Sequence, residues 1–312
     1  MSQSMLPKRV KIVEVGPRDG LQNEKNFVAN DIKIELINRL TVAGFANIEA
    51  AAFVSPKWVP QMAGSDEVMA GMSRRAGVIY SVLVPNMQGY EKALAAGADE
   101  VVVFSAASEA FAQKNINCSI NESIARFEPV AKAAKADGIL LRGSISCALG
   151  CPYQGEVNPA EVVSVAQKLR DLGCDEIDIA DTIGVATPGR VKAVFEALQP
   201  VLPVERFSGH FHDTYGQSLA NIYAALQMGV TIFHSSIAGL GGCPYAKGAT
   251  GNVATEDVVY LLQGLGIETG VNFEEVAGIG AFITQAIGRP NHSRAGKAFL
   301  ASSRAAANAS LP

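Results

Sequence analysis

Short runs of β-branched and other apolar residues alternate along this chain with longer segments in which apolar residues recur every three to four positions. The first pattern is that of buried strands and the second that of amphipathic helices. Strands are predicted at 10–15, 47–53, 77–84, 99–104, 139–147, 176–180, 206–212 and 230–237. Helices are predicted at 29–43, 65–75, 87–96, 121–136, 159–172, 188–198 and 214–228, and a last one at 256–265 completes eight strand–helix units. Glycine follows several of these helices just before the next strand, at Gly44, Gly97, Gly173 and Gly229. A left-handed helix cap penalises any residue with a Cβ, so glycine suits those positions.

Eight such units match an α/β architecture, a (β/α)8 TIM barrel, in length and alternation. A doubly wound open sheet would also alternate, but no glycine-rich nucleotide-binding turn follows the first strand. No linker rich in Pro, Gly or Ser divides the chain. The catalytic barrel is placed at 1–287, and the small, polar stretch 288–312 is expected to form a loosely attached C-terminal tail.

The chain has 312 residues, is 48% hydrophobic and carries a formal net charge of −4, which suits one soluble domain with a sizeable core. The acidic balance argues against nucleic acid, and no apolar run reaches transmembrane length. The N-terminus has no signal or transit character, so a cytoplasmic protein is expected. Cys118, Cys147, Cys151, Cys174 and Cys243 are odd in number and widely spaced, as reduced thiols are. Cys147 and Cys151 could begin a zinc site, but no second Cys/His pair of matching spacing follows.

Half of the histidine lies in His210-Phe211-His212. In a strand these two rings share a face, at an end where neutral nitrogens can bind a divalent cation. Two ligands are incomplete, and one ring could as well be a satisfied core histidine. Arg18 and Asp19 follow Gly16-Pro17 at the end of the first strand, though Asp19-Gly20 could be a plain turn with positive φ. The barrel turns these fragments into a constellation, because active sites of the fold lie at the C-terminal ends of its strands. Arg18 and Asp19 lie just past strand one, Asp181 follows strand six, and His210 and His212 close strand seven. The glycine-rich loop after strand eight carries Cys243 and Asn252. Strand eight neighbours both one and seven, so Asp19, His210, His212 and Asn252 can converge on one ion. Mixed nitrogen and oxygen ligation suits Mg²⁺ or Mn²⁺; zinc fits less well without thiolate. Glu49, inside an apolar strand, needs a partner, and Arg18 on the adjacent strand is the natural one.

The segments VEVGPRDGLQNEK, FVSPKWVPQM, SCALGCPYQG, DTIGVATPG, GHFHDTYGQSLAN and AGLGGCPYAKGATGNVATED together resemble the 3-hydroxy-3-methylglutaryl-CoA lyase family, in order over residues 10–272. The wider superfamily of metal-dependent aldol and Claisen barrels, the DRE-TIM metallolyases, shares the Arg-Asp-Gly turn and the His-x-His strand. Its synthases typically continue Arg-Asp-Gly with Glu-Gln, whereas this chain continues with Leu21-Gln22, and the Gly-Gly-Cys-Pro-Tyr loop is likewise characteristic of the lyase. The resemblance implies a carbon–carbon lyase that cleaves 3-hydroxy-3-methylglutaryl-CoA to acetyl-CoA and acetoacetate with Mg²⁺ or Mn²⁺, a reaction of leucine degradation. It implies Asp19, His210, His212 and Asn252 as metal ligands, Arg18 as the stabiliser of the enolate oxygen, and Cys243 as a proton-transfer group on a mobile loop. Glu49 and Asp181 match the family's acidic site residues; Glu49 could serve only to position Arg18, and Asp181 could cap a helix or position substrate. Arg18 and Gln22 are the expected substrate contacts. An acyl-CoA substrate and a homodimer or higher homo-oligomer are expected, with no nucleic-acid or membrane partner. Close relatives act on longer branched 3-hydroxyglutaryl-CoA esters such as the isohexenyl compound, and pocket size decides that point. A Claisen synthase using a 2-oxo acid is a further alternative. His234 departs from the pattern, since the family usually has Asp there, and Lys25 and Lys57 are only plausible contacts for CoA.

Overall fold

The computed structural model describes residues 6–242 and 250–309. Its frame runs β1 (Lys11–Glu14), α1 (Asn30–Val42), β2 (Asn47–Ala52), α2 (Ser65–Gly71), β3 (Ile79–Leu83), α3 (Met87–Ala95), β4 (Glu100–Ala106), α4 (Glu109–Ile116), α5 (Ile120–Asp137), β5 (Leu140–Ser146), α6 (Pro159–Leu172), β6 (Glu176–Asp181), α7 (Pro188–Leu198), β7 (Phe207–Phe211), α8 (Ser218–Gln227), β8 (Ile232–Ser235), α9 (Thr255–Gly264), α10 (Phe273–Ile287) and α11 (Arg294–Ala309). The eight strands pair in parallel in chain order, and β8 returns to β1 with Lys11 opposite Ile232 and Glu14 opposite Ser235. The barrel is therefore closed, a (β/α)8 fold.

Local chemistry explains the regular parts. Ser119 and Asn158 each cap a helix and close a reciprocal box with Glu122 and Glu161, satisfying backbone N–H groups that the first turn leaves free. Gly44, Gly97, Gly173 and Gly229 adopt φ values of 101°, 74°, 98° and 90°, as expected of left-handed positions before a strand. The helix expected from residue 214 instead begins at Ser218, because Asp213 Oδ1 accepts from the Ser218 backbone N–H at 3.1 Å and Gly216 turns the chain with φ 68°.

Three helices lie outside the predicted pattern. Helix α4, capped by Ser108 onto the Phe111 N–H, fills the connection between β4 and α5. Helix α10 ends the span placed in the barrel, and α11 lies within the stretch 288–312 expected as a loosely attached tail, where it docks on the barrel. The Phe299 ring meets Phe273 edge-on with centroids 5.4 Å apart. Asp257 Oδ1 accepts from the Ala295 N–H and from Ser293 Oγ, both at 2.7 Å, at the start of α11. A small-residue stretch reads as a weak tail by hydropathy, yet it is rich in alanine, the strongest helix former, and needs only one aromatic anchor to dock.

The barrel interior differs from the aliphatic filling usual in this fold. Arg142 on β5 lies 3.0 Å from His234 on β8, which are not neighbouring strands, so the pair meets across the lumen. Asn47, Ser81, Glu100 and Glu176 join the same buried network. The hydrophobic core lies outside this polar column, between strands and helices, where Val, Ile, Leu and Phe side chains are buried.

Candidate metal centre and active site

Beyond β1 the chain makes a wide helical turn over Gly16–Gly20 that carries Arg18 and Asp19. The alternative of a plain positive-φ Asp-Gly turn is not what forms, since Gly20 stays out of the left-handed region. Glycine is needed there for space: a Cβ would fall 2.6 Å from Ser236 Oγ and 2.8 Å from Leu240 Cβ. Gly20→Ala is expected to cost about 1–3 kcal/mol of stability through overpacking, read as a lower midpoint in urea unfolding; an unchanged midpoint would contradict the close approach.

His210 lies in β7 and His212 just past its end, on one face, with ring centroids 5.5 Å apart. Asn252 is delivered by an antiparallel bridge to His212, in which Val253 N–H donates to Phe211 O at 3.0 Å and Asp213 N–H to Gly251 O at 2.9 Å. His210 Nε2 is 2.7 Å from Asn252 Oδ1 and 3.9 Å from Asp19 Oδ2, and Asn252 Nδ2 donates to Asp19 Oδ2 at 2.8 Å. One donor atom each from Asp19, His210 and His212 lies within 4.8 Å of the others. His212 Nδ1 is buried with no hydrogen-bond partner among the described residues, a state that costs free energy unless a ligand engages that ring. Burial opposes charge on Asp19, but Arg18 and then the two histidines hold its carboxyl well below the usual range. Burial and the neighbouring His210 push His212 down to about 4, so its ring is neutral and able to ligate. Burial also opposes charge on His210, yet Asp178 and Asp19 outweigh it and lift the ring to about 9. This donor set fits a divalent cation, which would displace the Nε2 proton of His210.

Arg18 is buried between two carboxylates. Its Nη1 donates to Asp19 Oδ1 at 2.9 Å, and its Nε and Nη2 face Glu49 Oε1. Glu49 Oε2 accepts from Arg142 Nη2 at 2.7 Å. Burial opposes ionisation of Glu49, but Arg18 and Arg142 hold it below its ordinary value. A carboxylate gripped by two guanidinium groups is a holder of Arg18, poorly suited to take a proton. Gln22 and Glu49 line, with Arg18, Asp19, His210 and His212, a cavity of about 540 Å³. Asn23 Nδ2 donates to Gly242 O at 3.0 Å, which ties the first site loop to the loop after β8. Cys243 lies outside the described residues.

Asp181 is placed apart from this group. Alternation along β6 turns Asp178 and Ala180 into the cavity and Asp181 away from it. Its two oxygens accept from the Val185 and Ala186 N–H groups, each at 3.0 Å, and burial lifts its carboxyl to about 6. In this geometry Asp181 holds the turn after β6. Lys25 and Lys57 do not line the cavity. Sequence reasoning missed Arg142, Glu176, Asp178 and the cavity wall of Phe111 and Ile116 from α4. The run Glu-Ile-Asp-Ile-Ala carried a signal, because two carboxylates at alternate strand positions must share one face.

The HMGL-like family model matches residues 9–283. The chain belongs to the HMGL-like family. It is 57% identical over 296 residues, 95% of this chain and 99% of the relative, to a 3-hydroxy-3-isohexenylglutaryl-CoA/hydroxy-methylglutaryl-CoA lyase of Pseudomonas aeruginosa. It is 58% identical over 297 residues, 95% of this chain and 91% of the relative, to the mitochondrial hydroxymethylglutaryl-CoA lyase of Rattus norvegicus. The crystal structure of hydroxymethylglutaryl-CoA lyase from Pseudomonas aeruginosa superposes with a TM-score of 0.94 at 57% identity, covering 95% of this chain and 99% of that one. The family fold thus places the Asp19 and His210 cluster at the strand ends where barrel enzymes carry their chemistry.

Proposed function

We propose that this protein is a divalent-metal-dependent carbon–carbon lyase that cleaves 3-hydroxy-3-methylglutaryl-CoA to acetyl-CoA and acetoacetate. The observation that carries this reading is the meeting of Asp19, His210, His212 and Asn252 beside Arg18 at one cavity. An acyl-CoA substrate, a homodimeric or larger assembly and a cytoplasmic location belong to the same reading; among the described residues no helix is long and apolar enough to cross a membrane.

The bond between C2 and C3 breaks as the C3 hydroxyl loses its proton, so C3 becomes the ketone of acetoacetate and C2 becomes the enolate of acetyl-CoA. When bound by Asp19, His210, His212 and Asn252, Mg²⁺ or Mn²⁺ supplies Lewis acidity that lowers the pKa of the hydroxyl and polarises the forming ketone. Arg18, always charged and held by Glu49 and Asp19, points fixed donors at the oxygen where enolate charge grows. Gln22 lines the same cavity and is assigned to substrate contact. Cys243 is assigned to protonation of the acetyl-CoA carbanion. Cys243→Ser is expected to cut kcat by about 10²–10⁴, the range for a general acid–base group, while leaving Mn²⁺ affinity unchanged. Wild-type turnover of that variant would move the proton donor elsewhere.

The direct assay is incubation of purified protein with 3-hydroxy-3-methylglutaryl-CoA and Mg²⁺. Equal amounts of acetoacetate and acetyl-CoA are expected, and neither product would refute the reading. A second reading, activity on longer branched 3-hydroxyglutaryl-CoA esters, is favoured by the apolar wall of Val54, Val102, Phe104, Phe111 and Ile116 along the cavity. Comparable kcat/KM for the methyl and isohexenyl esters would support it. A preference of 10²-fold or more for the methyl ester, about 2.7 kcal/mol, would confine the enzyme to the shorter substrate.

A further inference from the structure

Behind His210 lies a group of buried side chains that the metal centre does not use. His210 Nδ1 is 3.4 Å from Asp178 Oδ2 and 3.3 Å from His234 Nδ1, whereas its Nε2 faces Asn252 and Asp19. His234 Nε2 is 3.1 Å from Glu176 Oε1, and Glu176 Oε2 accepts from Lys11 Nζ at 2.8 Å. Ser144 Oγ donates to Asp178 Oδ2 at 2.8 Å.

The donor and acceptor roles of these groups can be assigned in turn. An ionised carboxylate only accepts, so the His234 nitrogen beside Glu176 carries the proton. Arg142 does not compete for that position. Its Nη1 is 3.0 Å from His234 Nε2 and 3.4 Å from Nδ1, and an atom so nearly equidistant from both ring nitrogens lies along neither lone pair. His234 Nδ1 is then an acceptor. Two acceptors, Asp178 Oδ2 and His234 Nδ1, therefore surround His210 Nδ1, and that nitrogen must donate. With Nδ1–H held by these two acceptors, the Nε2 proton, which faces Asn252 Oδ1 at 2.7 Å in the metal-free site, is the one that a cation at Asp19 and Asn252 would displace.

We infer that Asp178 and His234 are positioning residues that fix His210 as its Nδ1–H tautomer, with Glu176 setting the proton of His234. This rests on the metal centre proposed above. Outer partners of a ligating histidine orient the ring and raise its basicity, and their loss commonly weakens metal binding by about 10–100-fold. Asp178, His210 and His234 also form a trio of donor atoms within 4.8 Å of one another. The Arg142 guanidinium against His234 puts a permanent cation beside that trio, which disfavours a second metal ion and leaves the hydrogen-bonding role.

The test has two arms. In ¹⁵N NMR of the Mg²⁺-loaded wild-type protein, His210 is expected to show a protonated Nδ1 and an unprotonated Nε2; the opposite tautomer would overturn the inference even if no variant folds. In Mn²⁺ titrations followed by electron paramagnetic resonance, wild type is expected to bind one ion per chain. Asp178→Asn and Glu176→Gln are each expected to bind it about 10–100-fold more weakly, with unchanged far-ultraviolet circular dichroism. The Gln amide can donate to His234 Nε2 and so reverse the relay without removing bulk. Folded variants that bind Mn²⁺ as wild type does would refute the positioning roles while leaving the metal centre standing. Two ions per chain, one lost in Asp178→Asn, would make the trio a ligand set and sink the inference. A wild type that binds no Mn²⁺ would remove the metal centre and the inference with it.

Discussion

Stripping the protein with a chelator is expected to abolish lyase turnover, and Mg²⁺ or Mn²⁺ is expected to restore it. Asp19 stays anionic under Arg18 and the two histidines, and His212 stays neutral, so both present lone pairs at neutral pH. Without a cation the tertiary hydroxyl keeps an alcohol's pKa, and no described side chain in the cavity is a strong enough base to remove that proton unaided. His212→Ala takes away the ring whose buried Nδ1 has no hydrogen-bond partner among the described residues. That variant is expected to keep its thermal midpoint within a few degrees and to lose Mn²⁺ binding at concentrations that saturate wild type. Metal affinity by isothermal titration and acetoacetate production measured on the same samples decide the matter. Full activity in metal-free protein would overturn the centre.

Arg18→Gln is expected to lower kcat by about 10²–10³ with little change in KM, the loss seen when one preorganised donor to a developing oxyanion is removed. The reasoning is differential. Arg18 already has its ground-state partners in Glu49 and Asp19, so substrate binding adds little to it, whereas enolate charge appears only as the bond breaks. Glu49 keeps Arg142 in the variant, so a buried carboxylate is not left alone. Mn²⁺ affinity should be followed in parallel, because Arg18 is also the main group keeping Asp19 ionised. A raised KM with normal kcat would assign Arg18 to plain substrate binding.

The strand and helix order was legible because both patterns are local. Alternation with period two and recurrence near 3.6 residues each report which side of one element is buried. The convergence of Asp19, His210, His212 and Asn252 was legible for a related reason: in a closed barrel, chain order alone puts strands one, eight and seven side by side. The place of Asp181 was also written in alternation, since it sits one residue from Ala180 and three from Asp178 on a six-residue strand. Its acidic character drew attention to the strand end and away from the face it occupies.

Other features depended on distances that no local pattern encodes. Arg142 meets Glu49 and His234 only because closure brings β5 within reach of β2 and β8 across the lumen. Each of those residues, read alone, is an expensive charge in an apolar strand; together they offset one another's burial. The docking of α11 depends likewise on Phe273 and Asp257, which the chain places twenty or more positions before the residues they hold. The sequence by itself determined the eight-unit barrel and the strand-end places of Arg18, Asp19, His210 and His212, since periodicity and strand order are properties of neighbours along the chain. Only the tertiary structure decided which carboxylates serve Arg18 and His210, because pairing across the barrel depends on how the closed sheet sets side chains from distant strands against each other.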